Sequence, residues 1–220
     1  MRVLAIALLP LLTVACASTG PAQTEATATD TETLEALYWA RQDSARMSFS
    51  QEEAAFMTGM IPHHAQALVM AGLAPENGSG GDVRVLAARI INAQRDEIET
   101  MQRWLRERGQ PVPEIHIDGL ELMIHGVDEH HHHMPGMLTR NQLEELAAAR
   151  GAEFDRLFLT YMIQHHRGAV SMVNDLFDSD GAGQDEAAFK VASDINVDQL
   201  TEIARMERML SALISDSSNR

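Results

Sequence analysis

One motif occurs twice in this chain. Residues 56–71 read FMTGMIPHHAQALVMA, and residues 158–173 read FLTYMIQHHRGAVSMV. Residue 158 corresponds to residue 56, an offset of 102. At the same offset, Met60, His63 and His64 correspond to Met162, His165 and His166. Both copies keep these side chains at helical spacing, so each predicts a long helix. The motif therefore indicates two copies of one helical unit that stack to bury a shared apolar face.

A second helix is predicted after each copy of the motif. Gln94 and Glu97 have counterparts at Gln199 and Glu202, an offset of 105. The four long helices are expected over about 50–73 and 82–108 in the first half, and over about 151–177 and to about 214 in the second. We therefore expect an all-α fold: an antiparallel four-helix bundle made from two duplicated helical-hairpin units, with essentially no sheet.

The remaining segments complete the predicted domain organisation. Residues 1–17 resemble a signal or lipoprotein signal, with Arg2 before a short apolar stretch. Residues 18–32 are predicted to be a flexible tether, 33–109 the first helical repeat, 110–138 a His- and Met-rich irregular connector, and 139–215 the second helical repeat. Capping boxes mark two helix starts, Ser50 with Glu53 and Thr139 with Gln142.

Cys16 is the one cysteine of the chain, and it has two interpretations. The stretch 13–16 resembles a lipobox, which predicts lipidation of Cys16 and anchoring to a membrane from outside the cytoplasm. Alternatively, the signal is cleaved after Ala17, which removes Cys16. Both interpretations predict a periplasmic or cell-envelope location, and both leave the folded part without a thiolate ligand or a disulfide.

The net charge of −15 argues against some partners. Nucleic acids and anionic membrane faces need a basic surface, so neither is expected to bind. A metal ion is compatible with this charge, and a copper-handling protein is an expected further partner.

The repeated side chains predict a soft-metal site. Met60 and His64 lie one helical turn apart, and Met101 falls at nearby height on the returning helix. Thioethers favour Cu(I) or Ag(I), so copper, as Cu(I), is the expected cofactor. The predicted ligands are Met60, His64 and Met101 in one half and Met162, His166 and Met206 in the other, with His63 and His165 auxiliary and Gln94 and Gln199 orienting the histidines.

The connector carries a second group of candidate ligands: His130, His131, His132, His133, Met134 and Met137. A histidine run can act as a flexible metal trap, or it can be a solvated polar loop. The Met-Pro-Gly-Met stretch beside it resembles the methionine-rich loops of copper carriers.

Three other interpretations stay open. The methionines could fill the core, or they could line a groove that binds a peptide or partner protein. A ferritin-like redox enzyme would need Glu-x-x-His on a core face, and no helix shows it. We expect no enzymatic activity.

Three motifs resemble a bacterial family, domain of unknown function 305 (DUF305), over about residues 50–213. They are Met60-Ile61-Pro62-His63-His64, Met134-Pro135-Gly136-Met137, and Phe154-Asp155 with His165-His166-Arg167-Gly168-Ala169. The family is often described as ferritin-like, so the resemblance implies a four-helix bundle. Some members look like extracytoplasmic copper-binding proteins linked to copper resistance.

Overall fold

The computed structural model of the chain describes residues 28–127 and 134–218. The predicted signal, Cys16 and the histidines 130–133 lie outside these residues. Two compact units divide the chain, Met1–Arg41 and Gln42–Arg220. Helix α1, Ala28–Arg46, starts in the first unit, within the segment predicted to be a tether.

The described chain is mostly helical, as predicted. After α1 come α2 (Gln51–Gly72) and α3 (Gly81–Glu107), then α4 (Arg140–Ala148), α5 (Gly151–Phe177) and α6 (Glu186–Ser218). For the four long helices, every end that was predicted lies within a few residues of the observed end. No helix in the described ranges is both long and apolar enough to cross a membrane.

Both predicted capping boxes are present. Ser50 Oγ accepts a hydrogen bond from Glu53 N at 3.0 Å, and Ser50 N donates to Glu53 Oε2 at 2.8 Å. Thr139 and Gln142 exchange the equivalent bonds at the start of α4. Each box satisfies backbone donors that the first helical turn leaves unpaired, so these residues fix where the helices begin.

The four long helices contact one another in a ring: α2 packs on α3, α3 on α6, α6 on α5, and α5 on α2. Two apolar clusters fill the space between them. One includes Met60 and Met101, and the other includes Met162 and Met206. The methionines of the motif therefore lie inside the protein.

The prediction of no sheet and an irregular connector was wrong. Strands β1 (Glu114–Asp118) and β2 (Glu121–His125) form an antiparallel hairpin that contacts α2. Gly119 begins the two-residue turn with φ of 58°, a conformation that glycine adopts without strain. Ile115 and Leu122 face the Met60 cluster. This short alternation of β-branched and polar residues is the strand signal that was overlooked.

A buried ionic network joins three helix ends. Glu53 Oε1 accepts from Asp185 N at 3.1 Å, and Asp185 Oδ1 accepts from Trp104 Nε1 at 3.0 Å. Arg108 pairs with the other oxygen of Asp185, its Nε lying 2.9 Å away. Asp185 also accepts from Ala188 N, so it caps α6. The network ties the start of α2, the end of α3 and the start of α6 together.

Candidate metal centre

Two histidine pairs meet where α2 packs on α5. His63, His64, His165 and His166 have no exposed surface. The rings of His63 and His165 face each other, with centroids 4.0 Å apart and planes tilted by 40°. The neighbouring rings within each pair are 6.4 and 6.1 Å apart. The structure thus gathers all four predicted histidines into one buried group.

The outer histidines each contact a carboxylate from the neighbouring helix. His166 Nε2 lies 2.6 Å from Glu202 Oε2 in a hydrogen bond. His64 Nε2 lies 2.8 Å from Glu97 Oε2, although the pair is not aligned as a hydrogen bond. Glu202 accepts the hydrogen bond of His166, so His166 carries a proton on Nε2. A carboxylate behind a histidine in this way orients the ring and raises its basicity as a ligand.

These carboxylates take the role that we predicted for two glutamines. Gln94 and Gln199 are buried, but both amide atoms of Gln94 lack a partner among the described residues, as does Oε1 of Gln199. Glu97 and Glu202 recur at the same offset of 105 as the glutamines, so the repeat in the sequence did not decide between them.

The inner histidines bond to backbone carbonyls instead. His63 Nε2 lies 2.9 Å from Pro135 O, and His165 Nε2 lies 3.0 Å from His63 O. A carbonyl oxygen only accepts, so these rings also carry their proton on Nε2. Burial, followed by the charge of His64, lowers the pKa of His63 to about 3. Burial, and then His63, holds the pKa of His165 well below its usual range. Both inner rings are therefore neutral near pH 7.

The four rings share one feature: a buried Nδ1 without a hydrogen-bond partner in the described parts of the chain. Leaving a buried polar atom unpaired costs on the order of 1–3 kcal/mol. The two inner rings, which are neutral with their proton on Nε2, each place an Nδ1 lone pair in the core. The lone pair of a neutral imidazole is the form that binds a metal ion.

The motif methionines lie at the level of these contacts. Met60 precedes His64 by one turn of α2, and Met101 follows Glu97 by one turn of α3. The two helices pack on each other and are joined by the short connection 73–80. Met162 and Met206 repeat this placement about the His166–Glu202 contact, and all four are fully buried. Burial fits both thioether ligands and core packing.

Residues 134–138, which we call the strap, cross α2 and α5 beside His63. Gln66 binds both backbone groups of Leu138, with Leu138 N donating at 2.7 Å and Leu138 O accepting at 3.1 Å. The backbone of Pro135 lies directly on Gly168 of α5. Of the predicted connector ligands, Met134 and Met137 are half-buried in the strap. In the sequence, the one indication of this contact is Gly168 itself, which lies just after the second histidine pair.

Among the residues that the structure describes, no three His, Cys, Asp or Glu side chains form a group able to hold a metal ion.

The fold and this site together define a mostly helical protein with a buried histidine–methionine centre. The DUF305 family (domain of unknown function) matches residues 53–210, so the chain belongs to that family. No curated protein matches it.

Solved structures resemble the chain over most of its length. A DUF305 fragment from Deinococcus radiodurans is 30% identical, with a TM-score of 0.61 over 74% of this chain and 98% of that one. CopM in its Cu(I)-bound form is 28% identical, with a TM-score of 0.52 over 73% and 96%. CopM in an Ag-bound form is also 28% identical, with a TM-score of 0.53 over the same shares.

Proposed function

We propose that this protein is an extracytoplasmic copper-binding protein that holds Cu(I), or Ag(I), through methionine and histidine side chains. Its role would be to buffer copper, to confer resistance or to deliver the ion. We propose further that the ring of long helices is an antiparallel, ferritin-like four-helix bundle that arose from two duplicated hairpins. The similarity to CopM, which has been solved with Cu(I), Cu(II) and Ag bound, supports the choice of metal.

The observation that carries the proposal is the set of four buried, unpartnered Nδ1 atoms. Two of these rings have a carboxylate behind them and a buried methionine one turn away on each helix. Thioether and neutral imidazole ligands suit Cu(I) and Ag(I), whereas Mg²⁺ and Ca²⁺ take oxygen ligands. Thioethers carry no proton, and the inner rings of His63 and His165 are already neutral near pH 7, so these side chains lose no proton on binding.

The proposed ligand sets follow from this placement. Met60, His64 and Met101 would hold one ion, and Met162, His166 and Met206 a second. His63 and His165, whose rings face each other, would be auxiliary ligands. In the strap, Met134 and Met137 are half-buried and would capture further ions outside the core.

We also propose a location and a mode of action. The signal-like residues 1–17 favour a periplasmic or envelope location, with Cys16 as a lipid anchor if it is retained. The role we propose is binding rather than catalysis, and a copper-handling protein would be the exchange partner. A methionine-lined peptide groove fits less well, because the motif methionines are buried.

A double substitution tests the ligand assignment. Met60→Leu with Met162→Leu keeps volume and apolarity but removes one thioether from each half. Met57→Leu with Met70→Leu is the matched control, since both are fully buried methionines of α2 outside the proposed ligand sets. We expect Cu(I) affinity to fall at least about tenfold in the first variant alone, with circular dichroism unchanged in both. Equal affinities in the two variants would contradict the assignment.

A further inference from the structure

A groove between α3 and α6 opens beside both histidine–glutamate contacts. Glu97 and Glu202 line it, with side chains 17% and 21% exposed. Each of these carboxylates also touches a fully buried imidazole, His64 for the first and His166 for the second. The side chain of each glutamate therefore lies between the groove and one buried histidine.

The groove contains polar atoms that lack a partner. Gln94 and Gln199 are 1% and 2% exposed, and both line its first cavity of about 270 Å³. Both amide atoms of Gln94 and Oε1 of Gln199 have no hydrogen-bond partner in the described chain. Because such atoms are costly when left unpaired, their grouping indicates a polar occupant that bonds to them.

Negative charge accumulates at one end of the groove. A second cavity of about 350 Å³ shares Glu97 and Asp198 with the first and adds Asp96 and Asp194. No basic side chain lines this cavity, and Lys190 pairs with one of its four carboxylates, with Nζ 2.5 Å from Asp194 Oδ2. We call these four residues the acidic mouth. Partial burial, followed by the charges of Glu97, Glu202 and Asp194, raises the pKa of Asp198, which shows that the carboxylates repel one another.

The other end of the groove differs in charge. Arg89 and Arg205 line the first cavity there. At the sequence offset of 105, Arg89 corresponds to Asp194, and Arg205 corresponds to Thr100. At both pairs of equivalent positions, the residue that lines the first cavity is basic, and its counterpart that lines the second cavity is acidic or neutral. The groove is therefore polarised along its length, and a cation is attracted to the acidic mouth.

We infer that the acidic mouth is the entry site through which a hydrated cation reaches the buried histidines, first His64 by way of Glu97. This inference rests on the metal-binding function proposed above. Carboxylate and amide oxygens attract hydrated cations without selecting for softness, whereas thioethers retain soft ions. Attraction by charge at the mouth would thus be followed by selection in the core, and the mouth would set the rate of binding.

Ag(I) in chloride-free buffer is the probe, because it exists in water as a free hydrated ion. The chain has two tryptophans, so Trp39→Phe leaves Trp104, in the same apolar cluster as Met101, as the one fluorescent reporter. Stopped-flow mixing of the full chain with Ag(I) gives the association rate. Displacement by a competing thioether chelator gives the dissociation rate.

The first variant removes charge from the mouth by Asp96→Asn, Asp194→Asn and Asp198→Asn. Its control removes three exposed charges elsewhere, by Glu76→Gln, Glu114→Gln and Asp118→Asn. We expect association at low ionic strength to slow about tenfold in the mouth variant and to lose most of its salt dependence. The control should change little. Equal rates in the two variants would overturn the inference.

The second variant narrows the groove by Ala93→Phe, because Ala93 lines both cavities. Ala88→Phe, at another exposed alanine of α3, is its control. An obstruction on the path slows association and dissociation by the same factor and leaves the dissociation constant unchanged. Rates equal to those of the control would overturn the entry role while leaving the ligand assignment intact. Failure of the parent chain to bind Ag(I) at all would instead overturn the proposed function, and the entry role with it.

Discussion

The substitution Gly168→Ala tests how closely the strap packs against α5. A Cβ at this position would lie 2.0 Å from Pro135 O, 2.4 Å from Pro135 C and 2.7 Å from Gly136 Cα. All three are backbone atoms, so no side-chain rotation relieves the overlap. Ordinary contact begins near 3.4 Å, and Gly168→Ala therefore forces the strap away from α5 by about 1.4 Å, the difference between 3.4 and 2.0 Å.

That movement has a cost that can be estimated from the contacts it breaks. Pro135 O accepts from the buried His63 Nε2 at 2.9 Å, and a shift of this size takes the pair beyond hydrogen-bond range. A buried donor left unpaired costs about 1–3 kcal/mol. Alanine is favoured over glycine inside a helix by about 1 kcal/mol, which opposes the loss. The weaker bond from Gln164 to Gly136 O would also be lost, so we expect a net destabilisation of about 1–3 kcal/mol.

Urea unfolding measures this difference, and Gly72→Ala is the matched control. Gly72 also lies in a helix, but nothing lies within 4 Å of the position that a Cβ would take there, so alanine should be neutral or slightly stabilising. Gly168→Ala should lower the unfolding midpoint while Gly72→Ala does not. A Gly168→Ala protein as stable as the parent chain would refute the close approach of the strap to α5.

Three further predictions follow from the buried polar groups. The pKa of His63 is lowered on folding to about 3, so the unfolded state binds more protons below about pH 6.5, and the metal-free protein should lose up to about 1.4 kcal/mol through His63 for each pH unit between about pH 6.5 and 3, as measured by urea unfolding. The pKa of His165 is also lowered, so this residue adds to the loss of stability as the pH falls. Asp185→Asn leaves Arg108 buried without its counter-charge and should cost about 3–5 kcal/mol, so an unchanged thermal midpoint would contradict the network. Gln66→Ala removes two hydrogen bonds to the strap and should speed hydrogen exchange of the Leu138 amide. An exchange rate equal to that of the parent chain would contradict this prediction.

The sequence was sufficient to predict the long helices and two of the helix starts. Ser50 and Thr139 are followed at the third position by Glu53 and Gln142, and local capping chemistry needs no tertiary information. The apolar periodicity is similarly local. These signals come from residues that lie within one or two turns of each other, which is why they could be read directly.

The partners of the histidines could not be read in the same way. His63 bonds to Pro135 and His165 to the backbone of His63, and both contacts join residues more than 70 positions apart. A glycine such as Gly168 is compatible with a close backbone contact but does not say what approaches it. The β1–β2 hairpin was missed for a different reason: its two strands have five residues each, and their alternation was too short to stand out from a polar connector.

One measurement tests the central claim most directly. The purified chain without residues 1–17 should be titrated with Cu(I) against a chromophoric competitor under anaerobic conditions, with Zn(II) and Cu(II) as controls. A second protein that lacks residues 130–133 should be titrated in parallel. We predict tight binding of Cu(I) that survives this deletion, because the proposed ligands lie among the buried histidines and methionines. Binding that disappears with the deletion, or no binding of Cu(I) by either protein, would contradict that claim.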